Sequence, residues 1–147
     1  IPQALEIAEE RGIVVSFGQA ILREAHPNTA QLILHGRSGQ RLEIIGQSLG
    51  GSRINIAQLD GIETNFSGES PTLVVYNEDR PGHVSEVTTM LSNQNINIAS
   101  MRLYRSSRGG EAVMVVECDQ EVPESGIDWL RGFDGIRKVT YLGMTGE

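Results

Sequence analysis

One segment of the chain, residues 71–104, combines the patterns of a buried strand, a polar turn, an amphipathic helix and a second strand. The run Leu-Val-Val-Tyr at 73–76 predicts a buried strand, because β-branched and aromatic residues favour that state. A turn cluster with proline and glycine follows at 77–82. Apolar residues on one helical face, Val84, Val87 and Leu91, then predict a helix over 85–93. Alternation predicts a second strand over 99–104. Strand, turn, helix and strand in this order form an arrangement suited to binding.

The start of the predicted helix is a candidate ligand site. About four backbone N–H groups lack partners at a helix start, where a partial positive charge also collects, so a small carboxylate suits this position. Asn77, Asp79 and Asn97 could hold the other end of such a ligand. An equally good interpretation of the pattern is that Asp79 only caps the helix and the asparagines only shape turns.

The sequence DRPGHVSEVTTMLSNQNINIASMRL, residues 79–103, resembles the opening half of an ACT domain, a small amino-acid-sensing module. His83 and Asn95 depart from the family pattern, which usually has an apolar residue and a glycine at these places. The resemblance implies a dimer that binds an amino acid between two such domains. It also implies the residues of the effector site, which are Asn77, Asp79, Arg80, Pro81, Gly82, His83 and Asn97.

The rest of the second half completes the order βαββαβ of a ferredoxin-like fold. The apolar run at 112–116 predicts a strand buried on both faces. A short helix is expected from about residue 124 through Leu130, and we interpret Trp129 as a core or interface anchor. The alternation at 136–142 predicts the last strand. Cys118 has no basic neighbour in the sequence and is interpreted as a structural thiol.

The first half is predicted to be rich in β-structure. Its patterns predict a helix over 2–11 and then strands over 13–17, 30–35, 41–46 and 53–59. The predicted fold class is therefore α+β, with a small β-rich module followed by a ferredoxin-like βαββαβ ACT domain. The predicted division places the first module at 1–66 and the ACT domain at 71–147, joined by a short linker rich in Ser, Gly and Glu.

Two segments of the first half carry possible binding chemistry. One is His-Pro-Asn-Thr at 26–29, and the other is Gly-Gly-Ser-Arg at 50–53. Backbone N–H groups of a glycine pair can cradle an anion, although a wide turn explains a lone glycine pair more simply. His26 alone is more often a surface or capping residue than a catalyst.

Together the two segments resemble the β-rich domain of iron–sulfur L-serine dehydratases, a domain that is similar to one in some phosphoglycerate dehydrogenases. The family usually has a third glycine where this chain has Ser52. The resemblance implies that this domain carries a substrate or effector site. Its residues would be His26, Asn28, Thr29, Gly50 and Gly51.

The same resemblance implies that the chain is the carboxy-terminal part of a dehydratase beta chain, without the serine-binding SSSHT-type loop found upstream. Such enzymes convert L-serine to pyruvate and ammonia with a 4Fe-4S cluster that belongs to the partner alpha chain. We therefore expect no cofactor and no metal site in this chain, and no catalysis by it alone. Ile1 lies inside a helical pattern, so we expect a longer polypeptide.

Composition narrows the function classes. A net charge of −7 argues against nucleic-acid and membrane partners, and one cysteine permits no internal disulfide, which favours the cytoplasm. The expected partners are an alpha chain, a second copy of this chain and a small amino acid such as L-serine. The alternatives are a non-enzymatic amino-acid sensor, for example in a phosphoglycerate dehydrogenase, and an ACT domain that only dimerises.

Overall fold

The computed structural model describes residues 3–19, 21 and 27–144. Within them the chain forms two four-stranded antiparallel sheets and three helices. The first sheet has the order β1-β2-β3-β4 and the second has the order β6-β7-β5-β8. The elements are α1 (Ala4–Glu10), β1 (Thr29–His35), β2 (Arg41–Gly50), β3 (Arg53–Leu59), β4 (Ile62–Phe66), β5 (Thr72–Glu78), α2 (His83–Asn93), β6 (Ile98–Arg105), β7 (Glu111–Cys118), α3 (Glu124–Arg131) and β8 (Ile136–Leu142).

The second sheet is covered on both faces. Leu73 and Val75 of β5 point to the side of α2 and α3, where they join the larger core cluster. Val74, between them, points to the opposite side and packs with Leu59 and Phe66 of the first sheet. Alternation along a strand therefore sends successive side chains into two different cores. The molecule has three layers: helices, the second sheet and the first sheet.

The predicted second half is confirmed in its element order and in its α+β class. The central strand β7 is buried on both faces from Ala112 to Val116, as the continuous apolar run indicates. Helix α2 begins at His83, two residues before the predicted start. Val84 was expected in the apolar stripe but is 44% exposed, and His83 is 3% exposed in its place. His83, one residue before Val84, therefore faces the core at the start of α2.

One strand prediction for the first half is wrong, and one strand of the structure was not predicted. Residues 13–17 form no strand, since no described strand pairs with them, and Phe17 is 83% exposed. Strand β4 was missed because its sequence is largely polar. The signal that would have found it is the Asp60-Gly61 pair, whose φ angles of 46° and 83° form a tight hairpin turn between β3 and β4.

The chain crosses from the first sheet to the second between Phe66 and Thr72, where the predicted linker lies. Among the described residues, apolar packing and one ion pair join the two sheets. The Lys138 Nζ atom of β8 lies 2.8 Å from the Asp60 carboxylate and donates to the backbone oxygen of Arg41 at 2.9 Å. Residues from both halves of the sequence thus fix the relative position of the sheets.

Candidate functional site

The turn between β5 and α2 gathers six of the seven predicted effector-site residues. Asn77, near the end of β5, is 4% exposed. Its side-chain amide donates to the Glu78 carbonyl at 2.7 Å, while its Oδ1 atom has no hydrogen-bond partner among the described residues. A buried acceptor without a donor is costly. Asn77 therefore holds a buried carbonyl oxygen whose hydrogen bonding is incomplete among the described residues.

Asp79 fastens this turn to the β6–β7 hairpin. Its carboxylate accepts the Gly109 N–H at 2.8 Å and lies 3.2 Å from the Arg105 guanidinium. The Gly109 N–H first, and Arg105 next, hold the pKa of Asp79 below its usual range. The interpretation of Asp79 as the helix cap is wrong, because α2 has no side-chain cap and its N-cap residue is Gly82, with φ of 112°. The N–H groups of the first helical turn are thus not closed off by a capping side chain.

A second set of side chains lies behind the turn. The Arg80 Nε–H donates to His83 Nε2 at 3.2 Å, so Nε2 is the acceptor and Nδ1 carries the proton of the neutral ring. His83 Nδ1 then donates to Glu86 at 2.7 Å. Arg80 also binds the carboxylate of Asp134 at 2.8 Å, which raises the pKa of Arg80 and lowers that of Asp134. This network explains how the family's apolar position accommodates a buried histidine.

Gly135 completes this network and was missed by the sequence analysis. A Cβ atom at this position would lie 2.4 Å from Arg80 Nη2 and 2.8 Å from His83 Nε2. The backbone also has φ of 89°, which side chains disfavour, and the Gly135 carbonyl accepts the Glu78 N–H at 2.9 Å. The signal in the sequence is the Asp134-Gly135 pair, a turn signature just before β8.

The seventh predicted residue, Asn97, lies at the other end of the sheet. Asn77 pairs with Ala112, whereas Ile98, next to Asn97, pairs with Cys118. Six residue steps along β7, from Ala112 to Cys118, place the two asparagines roughly 20 Å apart. Asn97 donates instead to Asp119 at 2.6 Å. Within a single copy of the chain, Asn97 therefore lies far from the turn between β5 and α2.

Of the predicted site in the first module, His26 lies outside the described residues. The Asn28 carbonyl accepts the Ser48 N–H at 2.8 Å, and Thr29 pairs with Gln47 of β2. Gly50 and Gly51 have φ of 80° and 60° in the tight β2–β3 turn. The two segments therefore lie near each other at one end of the first sheet. The role of the glycine pair as an anion cradle stays a prediction.

Cys118 fits the interpretation of a structural thiol. It is buried at the end of β7, and burial, assisted by the neighbouring charge of Asp119, raises its pKa to about 11. It is therefore a neutral thiol at physiological pH. Across the described ranges, no group of three or more His, Cys, Asp or Glu side chains is placed to hold a metal ion. None of the helices there is long and apolar enough to cross a bilayer.

Comparison with known proteins defines the class of the second module. The model of the ACT domain family matches residues 72–131, the part of the chain that runs from β5 through α3. This part of the chain is therefore an ACT domain.

The chain as a whole is similar to the beta chains of L-serine dehydratases. It is 34% identical over 142 residues to the probable L-serine dehydratase beta chain of Bacillus subtilis, covering 97% of this chain and 64% of the relative. The L-serine dehydratase beta chain of Peptoniphilus asaccharolyticus is 27% identical over the same shares of the two chains. The chain thus spans about two thirds of these curated relatives, and the resemblance found in the sequence is confirmed.

A second group of relatives shares a smaller part of its length with this chain. The D-3-phosphoglycerate dehydrogenase of Methanocaldococcus jannaschii is 31% identical over 71% of this chain, but the match covers 20% of that enzyme.

Proposed function

We propose that this chain is part of the beta subunit of a cytoplasmic iron–sulfur L-serine dehydratase, which forms pyruvate and ammonia from L-serine together with an alpha chain. The observation that carries the proposal is the similarity over 97% of the chain to two dehydratase beta chains. Similarity through both modules supports a shared architecture, beyond a shared ACT domain.

The residues of this chain do not fit an iron–sulfur cluster. Such clusters are usually held by four cysteine thiolates, whereas this chain has one cysteine, and Cys118 is buried with a raised pKa. We therefore assign the cluster and the bond-breaking chemistry to the alpha chain. The part left to this chain is to bind amino acids and to join subunits.

The test is an assay of the complete complex. The full beta polypeptide that carries this chain is purified anaerobically with its alpha chain, and pyruvate formed from L-serine is measured. We expect pyruvate from the complex and none from this chain alone. Full activity of the alpha chain without the beta polypeptide would contradict the proposal.

The second candidate is the regulatory region of a D-3-phosphoglycerate dehydrogenase, which the match to the Methanocaldococcus enzyme favours. The same purified polypeptide discriminates the two. NAD-dependent oxidation of 3-phosphoglycerate, with no pyruvate from L-serine, would replace the first proposal by this one.

The ACT domain is proposed to sense an amino acid in a dimer. Strand β6 is an edge of its sheet, and edges with unpaired backbone groups favour pairing with another strand. Leu103 of β6 is 48% exposed, which gives the edge apolar area. Antiparallel pairing of two β6 strands about a two-fold axis would bring Asn97 of one copy to the Arg105 end of the other. There it would meet the turn that holds Asn77 and Asp79.

Two substitutions test this arrangement. Leu103→Arg is expected to give monomers in light scattering and to abolish L-serine binding in calorimetry, because it places charge in the contact. Asn97→Ala is expected to leave the dimer intact and to weaken L-serine binding about tenfold or more, the usual loss for a hydrogen bond to a charged group.

The exposed residue Asn93, at the end of α2, provides the control, since Asn93→Ala should change neither property. A dimer that binds no amino acid would reduce the ACT domain to a dimerisation module. Unchanged affinity in Asn97→Ala would place any amino-acid site elsewhere.

A further inference from the structure

A groove of about 740 Å³ runs along strand β8, at one edge of the ACT sheet. The β1–β2 hairpin of the first sheet forms one wall, to which Leu34 and Leu42 contribute. Helix α3 forms the other wall, to which Arg131 contributes. Arg137 and Lys138 line the groove along β8 itself. The groove thus follows one side of the molecule, where both sheets end.

The groove lies away from every candidate site described above. In the pairing of β1 with β2, His35 meets Arg41 at the groove, whereas Thr29 meets Gln47 at the end of the sheet that carries the glycine pair. Six residue steps along β1 separate these two ends by roughly 20 Å. No described residue of the turn over 77–83 lines the groove either. Its function is therefore separate from both proposed amino-acid sites.

Strand β8 has an open side toward this groove. In the order β6-β7-β5-β8 it pairs with β5, and its other side has no partner strand among the described residues. The five consecutive residues 137–141 all line the groove. Since successive side chains of a strand point to opposite faces, a groove lined by all five follows the strand edge. Such an edge can accept an extended peptide segment through main-chain hydrogen bonds.

The two sides of this edge differ in chemistry. Toward the first sheet, Leu34 is 49% exposed and Leu42 is partly buried, so that side presents apolar area. Toward α3, the side chains of Arg131 and Arg137 are 47% and 63% exposed. A strand added beside β8 would alternate its side chains between these two sides. Its apolar residues would therefore meet the leucines, and its acidic residues would meet the arginines.

The groove is basic although the chain has a net charge of −7. Its lining contains four cations, Arg41, Arg131, Arg137 and Lys138, and one carboxylate, Glu124. Each cation also pairs with a carboxylate of the chain, but apart from Glu124 these carboxylates lie outside the lining. A guanidinium has five N–H donors, so a bound carboxylate leaves donors for another. The groove therefore complements an acidic segment.

A second copy of this chain does not suit the groove. Strands β6 and β8 are opposite edges of the ACT sheet, so copies that paired through both edges would form an open-ended row. Pairing two β8 strands would also bring together Arg137 and Lys138 of each copy, and like charges across paired strands repel. Charged residues on an edge strand are a usual protection against such self-pairing. The occupant is therefore a different polypeptide.

We propose that this groove docks an extended segment of the alpha chain as an added strand beside β8, with acidic and apolar side chains in alternation. The inference rests on the proposed function, which supplies the alpha chain as the partner. Two copies paired through β6 leave one groove open at each outer edge. The assembly is accordingly expected to contain two alpha chains and two beta chains.

Hydrogen exchange of the β8 amides tests the docking. The full beta polypeptide is measured alone and in complex with the alpha chain. We expect the amides of β8 that point away from β5 to exchange at least tenfold more slowly in the complex. Amides of β6 serve as the internal control, because their pairing is the same in both states. An active complex with unchanged β8 exchange overturns the docking and leaves the proposed function standing. Protection already present in the beta polypeptide alone overturns it too, because another segment of that polypeptide then fills the groove.

Charge reversal provides the second measurement. The double variant Arg131→Glu with Arg137→Glu is expected to raise the Kd for the alpha chain about tenfold or more, because it turns attraction into repulsion. Arg108→Glu is the matched control, since Arg108 is an exposed arginine of the β6–β7 turn outside the groove. Light scattering checks that both variants remain dimers. Equal Kd values for the two variants overturn the docking. Full alpha-chain activity without the beta polypeptide would instead contradict the proposed function.

Discussion

Gly135→Ala is expected to destabilise the ACT domain by about 3 kcal/mol. Holding alanine at a φ of 89° costs roughly 1–2 kcal/mol. Fitting its methyl group against Arg80 and His83, where a Cβ would lie within 2.8 Å of both, costs roughly 1–3 kcal/mol more. The free energy of unfolding is measured by denaturant titration of Trp129 fluorescence, which reports on α3 of the same domain.

Gly109→Ala is the matched control. Gly109 has φ of 73° in the β6–β7 turn of the same domain, but nothing lies within 4 Å of a Cβ atom there. The Gly109→Ala variant is therefore destabilised only by holding alanine at a positive φ. Its backbone N–H still donates a hydrogen bond to the Asp79 carboxylate. Equal losses in the two variants would mean that Gly135 is needed only for its backbone conformation, and that the Arg80–His83 network tolerates a methyl group.

The ACT half was predictable because its signals are local. Apolar runs of the right length predicted β5 and β7. The proline–glycine turn predicted the start of α2 to within two residues. Val84 and His83 could not be told apart, because both stand near the first turn of the helix. The rotation of the helix depends on Arg80 and Glu86, which hold His83 on the inner side. That contact involves a residue outside the helix and is invisible to periodicity.

The candidate site was predictable only in part, for a similar reason. Six effector residues are consecutive or nearly so, and one turn brings them together. Asp134 and Gly135 reach the same turn from more than fifty positions away, through the pairing of β5 with β8.

The first half was predicted less well because its strands depend on the second sheet for their core. Strand β1 has no buried residue, and residues 13–17 have the composition of a strand but no described partner. Burial in the first sheet is concentrated at Leu59 and Phe66, where it meets the ACT domain. The first sheet therefore gains most of its apolar stabilisation from the contact between the modules.

Leu59→Ala is accordingly expected to destabilise both modules together, by about 3 kcal/mol, within the range of roughly 2–5 kcal/mol for a buried leucine. Leu59 is 1% exposed and belongs to the core cluster that also contains Val74, Val113 and Val115 of the second sheet. Unfolding is followed by Trp129 fluorescence for the ACT domain and by hydrogen exchange of β2 and β3 amides for the first sheet. If the shared core couples the modules, both probes shift by the same free energy.

Leu32→Ala provides the comparison, because Leu32 lies on β1 of the same sheet and is 49% exposed. Removing its side chain is expected to change the free energy of unfolding by less than about 1 kcal/mol, since little of it is taken out of water. A Leu59→Ala chain in which only the β2 and β3 amides lose protection would contradict the coupling. In that case the ACT domain folds independently, and a ligand bound to one module could influence the other only through direct contacts such as Lys138 with Asp60.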